Sequence, residues 1–213
     1  MKDGPEDRPA DMRERILKES TRLFGENGFE GTSIQAVADA VGIRKPSLLY
    51  HFKSKEELRH AVIRDLFTHW QQELPRLLAG ATSGHDRFSS TIEALVGFFL
   101  SDTNRARVAI RESLDRPEEL RQLASELVFP WTRLLIEYIR MGQEAKIIKR
   151  EVDPESYITQ VMMMAIGTVA LGHVASALTD TDSRESMDKR IKELVRIARD
   201  TLFVERPKDK KGK

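Results

Sequence analysis

Apolar residues recur at intervals of three and four along almost the entire chain. This spacing places them along one face of an α-helix, whereas the alternation of every second residue that indicates an amphipathic strand is missing. Most of the prolines and glycines stand where these helical segments begin or end. The sequence therefore predicts an all-α fold of about nine helices.

The periodicity and the capping residues also give approximate helix boundaries. The expected helices cover about 11–27, 33–41, 45–50, 54–74, 85–100, 103–114, 117–144, 154–178 and 184–203. Pro75 is expected to kink or end the fourth helix, and Pro130 to kink or split the seventh. The composition of residues 79–84 predicts a loop.

Two of these helices begin with the pattern of a capping box. Thr32 is followed three residues later by Gln35, and Ser54 is followed three residues later by Glu57. In such a pair the hydroxyl accepts from a main-chain N–H of the first turn while the longer side chain bonds back. We therefore expect Thr32 and Ser54 to be the N-caps of the second and fourth helices.

Length and cysteine content exclude several classes of protein. A chain of 213 residues has room for one large domain or two small ones. Because it contains no cysteine, disulfides, thiolate catalysis, cysteine-based zinc fingers and iron–sulfur clusters are excluded. The first twelve residues are polar and lack the apolar core of a signal peptide, so we expect a cytoplasmic protein.

The longest uncharged stretch, residues 156–179, is long enough to span a membrane as a helix. Polar residues interrupt it, however, and acidic rather than basic residues flank it, so we do not expect a membrane span. Its small residues would allow close helix contact. A subunit interface is the favoured interpretation, and a central core helix of a monomer is the alternative.

Positive charge is concentrated in one segment, although the net charge of the whole chain is only +1. Residues 42–55 contain four basic residues and one histidine but no acid. The same segment contains a turn at Gly42, a short helix and the start of another capped helix. Together with the preceding helix, these elements have the layout of a helix-turn-helix. Such a motif places its second helix in the major groove of DNA.

These features predict a DNA-contact surface around the short third helix. Basic, hydroxyl and aromatic side chains suit contacts with base edges and phosphates, and the N-terminus of the second helix suits a phosphate. The candidate DNA-binding residues are Thr32, Arg44, Lys45, Ser47, Tyr50, His51, Lys53 and Lys55. Leu48, Leu49 and Phe52 are expected to face the core.

The segment from about residue 12 to residue 58 resembles the DNA-binding domain of TetR-type transcriptional regulators. The matching residues are Leu23-Phe24, Gly28-Phe29, Thr32, Ile34, Val37-Ala38, Ala40-Val41-Gly42-Ile43, Leu49-Tyr50-His51-Phe52, Lys53 and Leu58. The chain differs from the common pattern at Pro46, near the start of the recognition helix, and in the order of residues 40–42. These differences leave the fold expectation unchanged, and Pro46 gives up one main-chain N–H that could donate to a phosphate.

The resemblance implies a homodimeric regulator, and a repressor in most members, that binds a palindromic operator on double-stranded DNA. It also implies dimerisation through the last two helices, about 154–178 and 184–203, and a C-terminal domain that binds a small effector. The expected organisation is a flexible N-terminus (1–10), a three-helix helix-turn-helix domain (11–55), a helical effector-binding and dimerisation domain (56–205) and a basic disordered tail (206–213).

Aromatic and methionine side chains beyond the start of the fourth helix are candidates for the effector site, because such linings suit an apolar ligand. They are Phe67, Trp70, Leu95, Phe98, Phe99, Phe129, Trp131, Tyr138 and Met163. The alternative is that they are ordinary core residues. No cofactor and no metal are expected: Asp65, His69 and Glu73 share one helix face, which is more typical of a solvated, self-paired surface than of a metal site.

Two other classes of function are weighed against this interpretation. A small helical enzyme would need a nucleophile elbow, a metal-binding helix motif, a phosphate loop or a catalytic cysteine, and the chain has none of these. A helical protein-interaction module is the second alternative. The acid-free basic segment argues against it, since phosphate binding is what such charge favours.

Overall fold

Eleven helices make up nearly all of the computed structural model, which describes residues 9–80, 84–179 and 183–204. They are α1 (Pro9–Asn27), α2 (Ile34–Val41), α3 (Lys45–His51), α4 (Lys55–Gly80), α5 (Gly84–Ser101), α6 (Thr103–Asp115), α7 (Pro117–Leu127), α8 (Phe129–Glu144), α9 (Pro154–Ala170), α10 (Gly172–Thr179) and α11 (Ser183–Leu202). Within these described residues the β-structure is a single isolated bridge, Ile148 to Phe203. The all-α prediction is confirmed.

Two breaks raise the number of helices above the expected nine. The segment 117–144 divides at Val128, with Pro130 in the first turn of α8, as the position of that proline predicts. The prediction of one continuous helix over 154–178 is wrong, because Leu171 leaves the helical conformation and ends α9. Gly172, a poor helix former, follows, and its carbonyl accepts from the Arg190 side chain at 3.0 Å.

The fourth helix is longer than expected. It continues through Pro75 to Gly80, so the predicted end near Leu74 is wrong. A proline removes one main-chain hydrogen bond, and here the helix continues beyond it. Of the predicted loop at 79–84, residues 81–83 lie outside the described part of the chain, as do most of the N-terminus and the whole basic tail. None of the helices described is long and apolar enough to cross a membrane.

The chain forms two compact units whose members are not consecutive in sequence. The first contains residues up to Gln71 together with 101–127, and the second contains 72–100 together with the residues from Val128 onward. The expected division into 11–55 and 56–205 followed the order of the chain, whereas α6 and α7 belong to the same unit as α1, α2 and α3.

Each unit has its own apolar core. In the first unit the buried side chains come from all of its longer helices and include Ile16, Phe24, Val37, Leu48, Leu58, Val62 and Val108. In the second unit a cluster joins α8 and α9 to the end of α11, with Ile136, Ile139, Ile148, Ile158, Leu202 and Phe203. Main-chain hydrogen bonds between 147–149 and 202–204 hold the end of α11 against the turn that follows α8.

Helices α1 and α6 approach each other closely at Gly25. A Cβ atom built there would lie 2.7 Å from the Cβ of Asn104 and 3.0 Å from its Cα. Real Cβ atoms essentially never lie closer than 3.0 Å to another residue's atoms, so a larger residue at position 25 would force Asn104 and its helix to shift. Gly25 is therefore required by the crossing of α1 and α6.

Gly25→Ala is expected to lower the free energy of unfolding by about 1–2 kcal/mol, because the strain of overpacking exceeds the gain in helix propensity. Gly97 in α5 is the matched control, since a Cβ there meets nothing within 4 Å. Gly97→Ala should be neutral or stabilising by up to about 1 kcal/mol. Urea denaturation followed by circular dichroism measures both, and equal effects would contradict a tight crossing at Gly25.

Candidate nucleic-acid interface

The start of α2 differs by one residue from the predicted cap. Ser33 is the N-cap, and its hydroxyl accepts from the N–H of Ala36 at 3.0 Å. The predicted capping box of Thr32 and Gln35 is wrong, because the Gln35 side chain donates to Asp39 instead. Two adjacent hydroxyl residues are both good caps, so the sequence alone does not choose between them.

Thr32 has a structural role instead. It is only 2% exposed, and its hydroxyl donates to the carbonyls of Gly28 at 2.8 Å and Leu23 at 3.2 Å. These hydrogen bonds join the end of α1 to the start of α2. The Thr32 hydroxyl therefore does not face solvent where a phosphate could reach it, and Ser33 takes its place at the exposed N-terminus of α2.

The turn between α2 and α3 depends on Gly42. Its φ of 80° lies in the left-handed region, which strongly favours glycine, and its N–H donates to the carbonyl of Asp39 at 3.1 Å. The next N–H, of Ile43, donates back to Ala38 at 2.9 Å, which completes the usual left-handed end of a helix. The expected turn at Gly42 is present.

Helix α3 presents a polar face and buries an apolar one. Leu48 and Phe52 are at most 1% exposed, while Tyr50 is 85% exposed and is the most exposed large apolar side chain described. His51 is half-buried, with its ring 5.6 Å from that of Tyr50 in an edge-on arrangement. The exposed residues of this region include Arg44, Lys45, Pro46, Ser47, Tyr50 and Lys53.

The start of α4 confirms the second predicted cap. The hydroxyl of Ser54 accepts from the N–H of Glu57 at 3.0 Å, and the Glu57 carboxylate accepts from the N–H of Lys53 at 2.9 Å. Lys53 keeps its side chain in solvent. The side chain of Lys55 is half-buried instead, and its Nζ lies 4.1 Å from the centre of the Phe29 ring. The ammonium group of Lys55 thus makes a cation–π contact, and its expected phosphate contact stays a prediction.

Two arginines of α1 support this interface, and the sequence did not predict them. Arg15 donates to the carbonyl of Val41, at the end of α2, at 3.1 Å. The guanidinium of Arg13 lies 5.0 Å from the ring centre of Phe52, the residue that follows α3. Both arginines precede the helix-turn-helix segment, and their partners come more than 20 residues later, so no local spacing points to them.

The nine effector candidates are divided between the two units. Phe67 and Trp70 belong to the first unit and the other seven to the second. Within the second unit Phe98 and Phe99 are buried, and Leu95 and Trp131 are half-buried. Three candidates are mostly exposed, namely Phe129, Tyr138 and Met163.

A groove of about 310 Å³ in the second unit is lined by none of these nine candidates. Its lining comes from α5 and α11, with Glu93, Asp188, Ile191, Lys192, Val195, Arg196 and Arg199. Arg196 forms ion pairs with Glu193 and Asp200. Their hydrogen bonds and negative charges raise the pKa of Arg196 above its ordinary value. Among the described residues no group of three histidine or acidic side chains is placed to hold a metal ion.

Comparison with known proteins connects this geometry to a family. Residues 16–62 match the sequence profile of the family described as "Bacterial regulatory proteins, tetR family". The HTH-type transcriptional repressor KstR2 of Mycolicibacterium smegmatis is 34% identical over 97 residues, which are 44% of this chain and 42% of that protein. The aligned part thus spans less than half the length of this relative.

Two further similarities extend over more of the chain. The HTH-type transcriptional repressor DhaR of Mycobacterium sp. (strain GP1) is 26% identical over 155 residues, which are 68% of this chain and 73% of that protein. The solved structure of the ketosteroid transcriptional regulator KstR2 of Mycobacterium tuberculosis superposes with a TM-score of 0.70, covering 91% of this chain and 95% of that one at 15% identity. This structural likeness concerns the fold alone.

Proposed function

We propose that this chain is a ligand-responsive repressor of the TetR family of bacterial regulatory proteins, because residues 16–62 match the sequence profile of that family and the similar proteins are named as repressors. It acts in the cytoplasm as a homodimer, binds a palindromic operator through α3 in the major groove, and is released by a small, largely apolar effector. The observation that supports DNA binding most directly is the exposed face of α3, which is basic and aromatic and free of acids from residue 42 to residue 55.

The exposed residues of this face have distinct roles in the proposal. Lys45 and Ser47 lie in the first turn of α3 and Tyr50 is exposed near its C-terminal end, and these three are assigned to base edges in the major groove. Arg44, His51 and Lys53 flank them and are assigned to phosphates, which fix the register of the protein on the duplex. Thr32 and Lys55 are left out of this set, because their side chains have the internal partners described above.

Titration of the purified chain against DNA tests this proposal. The probes are a fragment from upstream of its own gene and an unrelated fragment of equal length, at about 50 and 200 mM salt. We expect selective binding to the upstream fragment, with an affinity that falls steeply as salt rises. Weak and equal binding to both fragments would contradict the proposal and favour a protein-interaction module.

The proposed dimer uses α9, α10 and α11. Large apolar side chains remain exposed along α9 and α10 and at the turn between them: Met163, Leu171, Val174 and Leu178. Apolar residues repeated on one exposed face are typical of a surface that another subunit covers. Two-fold pairing would also set the spacing of the two recognition helices, which must match half-sites about 34–36 Å apart or a multiple of that.

Val174→Glu/Leu178→Glu is expected to convert the dimer into a monomer, because four carboxylates would be brought together in an apolar contact. Analytical ultracentrifugation measures the change in mass. Leu114→Glu is the matched control, since Leu114 is equally apolar and is 76% exposed on α6. A double variant that sediments like the wild type would exclude α10 from the interface.

The effector site is proposed for the second unit. The buried Phe98 and Phe99 and the half-buried Leu95 and Trp131 are the candidates whose burial suits an apolar ligand. An effector releases DNA only if it binds the two conformations of the protein with different affinity. A screen of apolar compounds for release of the upstream fragment, repeated with Trp131→Ala, tests this assignment; release that is equally efficient in the variant would contradict it.

A further inference from the structure

One buried arginine connects the start of α4 to two helices that come much later in the chain. Arg59 is 3% exposed, and its Nη1 donates to the Glu112 carboxylate of α6 at 2.6 Å. Its Nε donates to Glu56 in its own helix at 2.9 Å, and its Nη2 donates to Glu119 of α7. A single guanidinium therefore joins three helices of the first unit.

The turn between α1 and α2 is joined to the same group through Phe29. Its ring has three cations nearby, with Lys55 at 4.1 Å, Arg116 at 4.4 Å and Arg59 at 5.6 Å from the ring centre. Arg116, between α6 and α7, also forms ion pairs with Glu30 at 3.5 Å and Glu56 at 3.7 Å. We refer to Phe29, Glu56, Arg59, Glu112, Arg116 and Glu119 as the Arg59 cluster.

Because the Arg59 guanidinium is buried, its charge must be compensated by hydrogen bonds of specific geometry. Loss of solvent disfavours the charged form of Arg59, but hydrogen bonds to Glu119 and Glu56 outweigh it and raise its pKa above the ordinary value. The same hydrogen bond holds the pKa of Glu119 below its ordinary value. A guanidinium offers five donors in a fixed planar fork, whereas a lysine offers one point charge, so only arginine satisfies three carboxylates in this way.

The Arg59 cluster includes the first turns of α4, next along the chain to the proposed DNA-contact face, but none of its residues belongs to that face. Arg59 is one helical turn beyond Lys55, where α4 begins, and the cap of α4 is formed by residues 53–57. Whatever fixes Arg59 also fixes the first turn of α4, and with it the exposed Lys53 and the end of α3. No member of the cluster lies between residues 42 and 55.

Resting on the DNA-binding function proposed above, we propose that Arg59 is a positioning residue for DNA binding. By joining Glu112 and Glu119 to the start of α4, it makes α6 and α7 a structural part of the DNA-binding unit. Residues 101–127 then control the orientation of the DNA-contact face without touching DNA.

The test uses a variant that removes the buried ion pair without leaving a buried charge unpaired, since Glu56 and Glu119 are both about half exposed. In Arg59→Met/Glu112→Leu both partners become apolar side chains, a replacement that folded proteins often tolerate. Arg59→Lys is the second variant, because it keeps the charge and removes the planar fork. Arg64→Met is the matched control: Arg64 also joins α4 to α7, through Glu126 at 3.5 Å, but both side chains are more than half exposed.

Three quantities are measured for each protein: affinity for the upstream DNA fragment, the dependence of that affinity on salt, and amide hydrogen exchange over residues 103–127. For both Arg59 variants we expect affinity to fall about tenfold to a hundredfold, the decrease that one mismatched base pair causes. The salt dependence should be unchanged, because every phosphate-binding side chain is still present. Exchange over 103–127 should accelerate, and Arg64→Met should resemble the wild type in all three.

Each contrary result has a definite meaning. Wild-type affinity in a folded Arg59 variant would overturn the positioning role and leave only a structural one. A weaker salt dependence would also overturn it, since Arg59 would then act as a phosphate ligand. If the wild-type chain itself does not bind DNA, the proposed function fails, and hydrogen exchange still shows separately whether Arg59 holds α6 and α7.

Discussion

Replacing Arg44 and Tyr50 together by alanine is expected to weaken binding to the upstream DNA fragment by at least about a hundredfold. Both side chains are exposed, and the Tyr50 ring is 85% in solvent, so it contributes little to the core. Each direct interaction of this kind contributes roughly 1–3 kcal/mol, and a dimer would be affected in both subunits. Fluorescence anisotropy with labelled DNA measures the change.

Stability and salt dependence separate a direct role in DNA binding from an effect on folding. The thermal midpoint of the double variant should stay within about 2 °C of the wild type, because neither residue is buried. The salt dependence should weaken by about one unit of slope for each phosphate interaction that the substitutions remove. Arg76→Ala is the control, since Arg76 is an arginine of α4 that is 75% exposed and lies outside the DNA-contact face. An equal decrease in affinity in both variants would contradict a specific binding surface on α3.

Arg59→Met alone is expected to lower the free energy of unfolding by about 3–5 kcal/mol, the usual cost of leaving one partner of a buried ion pair without the other. Glu112 would keep its charge with its side chain only 8% exposed. Adding Glu112→Leu should recover most of that stability, because the second charge is then removed as well. Urea denaturation of the wild type and the single and double variants completes the comparison.

The solvent-exposed ion pair of Arg64 and Glu126 is the reference for this loss of stability. Arg64→Met removes an ion pair between the same two helices, α4 and α7, but solvent screens it. We expect a change of no more than about 1 kcal/mol. A change of similar size in Arg59→Met would mean that Glu112 regains solvent when its partner is removed, and the cluster would then not be rigid.

The sequence is most informative where local chemistry decides the structure. A glycine that must adopt a left-handed conformation, a hydroxyl cap at Ser54 and a proline in the first turn of α8 each act within a few residues, and the structure confirms all three. The acid-free segment 42–55 likewise predicts an exposed basic surface, because charge can be read without knowledge of the fold.

Predictions fail where distant residues decide between local alternatives. Thr32 and Ser33 are equivalent as caps, and Thr32 is excluded only because the end of α1 offers its hydroxyl two carbonyls. The contact of Lys55 with Phe29, 26 residues earlier, is also not indicated by any local spacing. Likewise the break at Leu171 accompanies a hydrogen bond from Arg190 of another helix. For the effector candidates, apolar spacing is identical in a core and in a ligand site, so the sequence does not separate them.

The discontinuous first unit has a consequence for the order in which the protein can be completed during synthesis. Arg59 precedes Glu112 by 53 residues, so at about 5–20 residues per second the ribosome delivers the partner roughly 3–10 seconds later. Throughout that interval α1, α2 and α3 lack α6 and α7. In any fragment that ends before residue 112, Arg59 lacks its partners Glu112 and Glu119. The proposed DNA-contact face is therefore made early, but the unit that carries it is complete only once residues 101–127 have been added.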